Sequence, residues 1–135
     1  FFSSTSLPVT LLVAGRPVEE VKNVKYIGFR KDMERIYKLV DYTILASRYE
    51  AFGLVAVESV FSGTPVVLTP NVYSNEVIAA DGKIFLDTSS DSSITIAIQK
   101  AIMNKHRLSN AAQLVSPQYT PYEHAKRVLT AAHLI

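Results

Sequence analysis

The feature that most constrains this chain is an alternation of short apolar runs, several of them closed by glycine, with stretches of helical periodicity. Leu7 to Ala14 is a β-rich run ended by Gly15, and Val24 to Phe29 is a second, with Gly28 at its end. Tyr42 to Ala46 and Val66 to Thr69 follow, and Lys83 to Leu86 reads as a brief last strand. The continuous apolar character of the first run predicts a strand buried on both faces. Between the runs, Met33, Ile36, Tyr37 and Val40 recur at i, i+3, i+4, i+7, and Asp32 stands where a helix cap belongs. A second helix is expected from about Gly53 to Ser62, ended by Gly63, before Thr64-Pro65 leads into the next strand. Asn75 to Ala80 predicts a short helix, Ser92 to Asn104 a longer one, and Thr120-Pro121-Tyr122-Glu123 the capped start of a final helix to Leu134. Strand–helix alternation of this kind builds right-handed βαβ units: an α/β, Rossmann-like fold with a parallel sheet and helices on both faces.

Composition narrows the function. At 135 residues and 48% hydrophobic, the chain fits one domain, with no internal repeat or linker. A net charge of +2 and the lack of basic runs interleaved with aromatics argue against nucleic acid as a partner. No apolar run approaches the roughly 18 residues of a transmembrane segment. Without cysteine there is neither disulfide nor thiolate chemistry, which fits a reducing compartment, and His106, His124 and His133 show no metal-like pairing.

The chemistry concentrates between Arg48 and Leu68. Two carboxylates, Glu50 and Glu58, flank a Phe52-Gly53 step at the expected start of a nearly all-apolar helix. In an open parallel sheet, ligands bind beyond the C-terminal ends of strands, where helices begin. The amides of Phe52, Gly53 and Leu54 would point out of that helix start, and a phosphate suits them. Glu58 is the only charge between Glu50 and Glu76, and no basic residue stands four positions away. It lies about 7 Å along the helix axis from Gly53, so it could accept hydrogen bonds from ribose hydroxyls. Spacing alone fits a second reading equally well, with Glu58, Ser59 and Ser62 as a solvated stripe and Glu50 as a solvated loop residue.

With its neighbours, the stretch Ser47 to Val67 resembles the E-x7-E signature of retaining glycosyltransferases of the GT-B fold, group 1 (family GT4). Leu11 to Gly15, Val24 to Phe29 and Ile36 to Tyr42 resemble other pieces of that family in the same order. The resemblance implies that the chain is the C-terminal, nucleotide-sugar-binding half of such an enzyme. It assigns Glu50 to the transferred sugar as the catalytic carboxylate, the amides of Phe52, Gly53 and Leu54 to the diphosphate, and Glu58 to the ribose. The backbone around Phe29 and Arg30 would lie against the nucleobase. The implied donor is a nucleoside-diphosphate sugar, the acceptor a carbohydrate or lipid-linked molecule, and no cofactor or metal ion is implied. The implied location is cytoplasmic, with the cytoplasmic membrane face an option for the full-length enzyme.

Departures from the pattern matter too. Ala51 replaces a glycine, Gly15-Arg16-Pro17 replaces a more flexible turn, and the family's G-R…K-G region is not present. The implied reading is thus a fragment lacking its first strand–helix unit and the N-terminal acceptor domain. A non-catalytic nucleotide-sugar-binding or scaffold domain of the same fold is the alternative, and an enzyme of the fold with other chemistry, such as a nucleotide-sugar epimerase, is a third.

Overall fold

A computed structural model describes residues 1–110, 114 and 115. The elements run β1 (Leu11–Ala14), β2 (Val24–Gly28), α1 (Met33–Leu39), β3 (Thr43–Leu45), α2 (Leu54–Phe61), β4 (Val66–Leu68), β5 (Lys83–Phe85) and α3 (Asp91–Met103). All pairings between these strands are parallel. The predicted strands and the helices α1, α2 and α3 are therefore in place, most of them shorter than expected by a residue or two. The expected final helix from Thr120 to Leu134 lies outside the described residues.

The sheet comes in two pieces. β1 pairs with β2, and β3, β4 and β5 form a three-stranded sheet in that order. Ile44, Val67 and Ile84 stand in register across the second sheet. Alternation along its central strand sorts the core. Val66 and Leu68 join Ala56 and Val60 of α2 on one face, while Val67 and Ile84 meet Ala97 and Ala101 of α3 on the other. Helices thus cover both faces, and β4 is wholly buried.

β1 differs from expectation. Residues 7–10 do not pair, because Pro8 offers no N–H and the Val9 amide bonds back to the Leu7 carbonyl at 2.8 Å. Leu12 is 39% exposed, so this strand is not buried on both faces as its apolar run predicted. The expected helix from Asn75 to Ala80 is instead two 3₁₀ turns, Tyr73–Glu76 and Ala80–Gly82. Asp32 precedes α1 but makes no capping bond, because its carboxylate is taken by Arg30 at 2.9 and 2.7 Å. Ser90 does cap α3, accepting from the Ser93 amide at 3.1 Å.

Candidate functional site

The helix α2 begins at Gly53, which stands at the N-cap with φ 80° and ψ 56°. A left-handed residue here suits glycine. The amides of Phe52, Gly53 and Leu54 donate to no acceptor among the described residues, so the helix start carries uncommitted N–H groups. The bare glycine faces inward, however. A Cβ would lie 2.6 Å from Val72 Cγ1, 2.9 Å from Leu45 Cδ2 and 3.1 Å from Ser74 Oγ. The missing side chain seats the loop against β3 and the 72–74 turn, where the Ser74 amide donates to the Phe52 carbonyl at 2.8 Å. It does not clear a path for an anion.

Glu58 departs further from expectation. The helix turns Ala56, Ser59 and Val60 into the core and leaves Leu54, Val55, Glu58 and Phe61 exposed. Glu58 is therefore not an unpartnered carboxylate in an apolar interior. Nor does the solvated-stripe pattern hold, since Ser59 is fully buried. Its hydroxyl lies 2.7 Å from Thr43 Oγ1 and donates to the Thr64 carbonyl at 2.9 Å, stapling α2 to the start of β4. Glu58 Oε2 accepts a hydrogen bond of 3.0 Å from the Tyr37 hydroxyl. Tyr37 is only 3% exposed. Burial, with the Glu58 carboxylate second, pushes its phenol up to about 12, so it remains a donor throughout the physiological range.

Glu58 also lines a cavity of about 760 Å³ together with Val55, Tyr37, Phe29, Arg30 and Gly15. Three of the predicted donor-binding residues, Phe29, Arg30 and Glu58, thus come together around one space. Phe29 offers an exposed ring there, at 77%. Arg30 is already engaged, since its bidentate bond to Asp32 holds that carboxyl below the usual carboxylate range. Glu50, Phe52, Gly53 and Leu54 do not line the cavity. They gather at the other end of the site, at the start of α2. The Glu50 main chain bridges to Val72, and its half-buried carboxylate makes no hydrogen bond or ion pair among the described residues. Leu54 and Glu58 are four residues apart on one helix, so about 6 Å of rise links the two groups.

Two contributors were not visible in the sequence. Tyr37 read as an apolar position of α1 and as part of the stretch Ile36 to Tyr42 that resembles the family, with no role at the site, and its partner lies 21 residues away. Arg107 donates to the carbonyls of Tyr37 (3.3 Å) and Lys38 (2.6 Å) and to the Thr64 hydroxyl. The Thr64 hydroxyl in turn donates to the Tyr37 carbonyl at 2.6 Å. No local pattern announces contacts made across such distances.

Known proteins resemble the chain along most of its length. The family model of glycosyl transferases group 1 matches residues 18–116. A probable transglycosylase of Burkholderia thailandensis is 38% identical over 119 residues, which is 84% of this chain and 33% of that protein. The mannosylfructose-phosphate synthase of Agrobacterium fabrum is 49% identical over 39 residues, 29% of this chain and 9% of that one. Among solved structures, a sucrose-phosphate synthase of Thermosynechococcus elongatus superposes with a TM-score of 0.63 at 22% identity, covering 82% of this chain and 31% of its own. Anabaena HepE, solved with UDP and glucose, gives 0.63 at 20% identity, covering 80% and 32%. The chain spans about a third of the length of the transglycosylase and of these two solved proteins. Among the described residues no helix is long and apolar enough to cross a membrane. The α/β fold is that of GT-B glycosyltransferases, and the chain belongs to the glycosyl transferases of group 1.

Proposed function

We propose that this chain is the donor-binding half of an enzyme that moves a sugar from a nucleoside diphosphate to a carbohydrate or lipid-linked acceptor, with retention at the anomeric carbon. The observation that carries the reading is the arrangement along α2. Uncommitted amides at Phe52, Gly53 and Leu54 suit a diphosphate, and Glu58, one turn on, presents a held carboxylate to a cavity that also contains Phe29. Glu58 accepts the ribose hydroxyls, and the backbone around Phe29 and Arg30 lies against the base. Glu50, on the loop before the helix, faces the transferred sugar and supports positive charge developing at its anomeric carbon. No metal ion or other cofactor takes part in this reading, which rests on family resemblance and predicts that EDTA leaves turnover by the full-length enzyme unchanged. The same reading puts the enzyme in the cytoplasm, with the cytoplasmic membrane face as the place where a lipid-linked acceptor would be met.

The split sheet supports the view that a further strand–helix unit belongs to this domain. A doubly wound sheet of this kind has strand order 3-2-1-4-5-6. β2-β1 and β3-β4-β5 share no ladder here, and in this reading they take positions 3-2 and 4-5-6, with position 1 between β1 and β3. Leu11, Leu12, Thr43 and Ile44 from those two strands line the same cavity that Phe29 and Glu58 border, so in this reading the further unit fills the part between the strands and the nucleotide takes the part beside Glu58. An N-terminal acceptor domain completes the enzyme in this reading.

Titration of uridine, guanosine and adenosine diphosphates against the protein tests the function, with Glu58→Ala as control. One of the three should bind, and Glu58→Ala should weaken it tenfold or more, through loss of charge-assisted bonds to the ribose. Unchanged affinity in Glu58→Ala would remove the ribose assignment.

A further inference from the structure

We propose that Tyr37 is a positioning residue for Glu58, fixing one carboxylate oxygen so that the other is presented to the ribose of a bound nucleoside diphosphate; this rests on the donor-binding reading of Glu58. Glutamate has three side-chain torsions, and an exposed one gives up rotamer freedom when a ligand orders it. Glu58 sits on the exposed side of α2, yet its Oε2 is held at 3.0 Å by a phenol that is almost fully buried. Oε1 carries no hydrogen bond among the described residues, and the side chain borders the cavity. A phenol that keeps its proton can only donate to this carboxylate, so the bond has one sense and one geometry.

Tyr37 is itself held from behind. Its carbonyl accepts from the Thr64 hydroxyl at 2.6 Å and from Arg107 Nη1 at 3.3 Å. Arg107 Nη2 bonds the next carbonyl, Lys38, at 2.6 Å. These bonds tie the end of α1 to the entry of β4 and to the segment after α3. The hydroxyl therefore projects from a fixed backbone, which a contact tuning a carboxylate's aim requires. A tyrosine needed for packing alone would give no reason for its hydroxyl to meet the one acidic side chain of α2.

Binding of uridine diphosphate and of its 2′,3′-dideoxy counterpart tests the proposal, with the guanosine or adenosine pair replacing them if that nucleotide binds instead. Tyr37→Phe keeps the ring and removes the bond. It should weaken the ribonucleotide about three- to tenfold, leave the dideoxy compound unchanged, and add nothing in a Glu58→Gln background. In Glu58→Gln, the ¹³Cζ titration of Tyr37 should also move down towards the ordinary tyrosine value. If Tyr37→Phe weakens both nucleotides alike, or neither, while Glu58→Gln abolishes the discrimination, Tyr37 is a packing residue and the ribose assignment stands. If Glu58→Gln leaves the discrimination intact, or if no nucleotide binds, the assignment of Glu58 fails and the role of Tyr37 with it.

Discussion

Replacing Gly53 by alanine tests how the start of α2 is built. Two costs add. The residue sits at φ 80°, and an L side chain in that left-handed region costs roughly 1 to 2 kcal/mol. The new Cβ would also stand 2.6 Å from Val72 Cγ1 and 2.9 Å from Leu45 Cδ2. The leucine methyl is the tip of a rotatable side chain and can yield. Val72 is β-branched and 1% exposed, so relief there must come from the backbone. Overpacking of this kind costs about 1 to 3 kcal/mol, giving a total of about 2 to 5 kcal/mol. Gly63→Ala is the matched control. It has φ 84° but nothing nearer than the Leu108 carbonyl at 3.4 Å, so it carries the backbone cost nearly alone. Urea unfolding of both variants should place Gly53→Ala at least about 1 kcal/mol below Gly63→Ala, with unchanged m-values. Equal losses would mean that the inward contact does not hold this loop.

Other perturbations separate the supports of the site. Ser59→Ala removes a fully buried hydroxyl and leaves the Thr64 carbonyl without that donor, so urea unfolding should show a loss of about 1 to 3 kcal/mol. Ser74→Ala should cost little or add stability in the same assay, because Ser74 Oγ is buried with no hydrogen-bond partner among the described residues. Arg107→Met should speed hydrogen exchange at the end of α1, where the Lys38 carbonyl loses its Arg107 donor and the Tyr37 carbonyl keeps only that of Thr64, while α3 exchanges as before. Tyr37 gives a pH window: its folded value is raised to about 12 against an ordinary 10.0, so its contribution is complete below pH 10 and is lost as pH rises towards 12. Tyr37→Phe should flatten that part of a stability profile measured by urea midpoints.

Much of the architecture was legible because local rules decide it. The runs at Val24, Thr43 and Val66 became strands, and Gly53 and Gly63 bound α2 as the turn chemistry required. The failures are equally specific. Pro8 cut β1 short, a constraint contained in the sequence but masked by the apolar run around it. Asp32 had the right place for a cap, but a bidentate arginine two residues away competed for it successfully. Glu58 stands among apolar residues in the sequence, yet it is exposed. A helix with hydrophobic residues on nearly all sides gives no sign of which side faces out, and tertiary packing turned Leu54, Val55 and Phe61 outward with it. The bond from Tyr37 to Glu58 and the bridge made by Arg107 join distant segments, and no spacing rule reaches that far.

The central claim is that a diphosphate sits on the start of α2 with the ribose against Glu58. Backbone amide NMR during titration with a nucleoside diphosphate addresses it most directly. Phe52, Gly53 and Leu54 should show the largest shifts, followed by residues around Glu58, Phe29 and Arg30, and pyrophosphate alone should move the first group only. Shifts centred elsewhere, with the three amides unmoved by either ligand, would contradict the account.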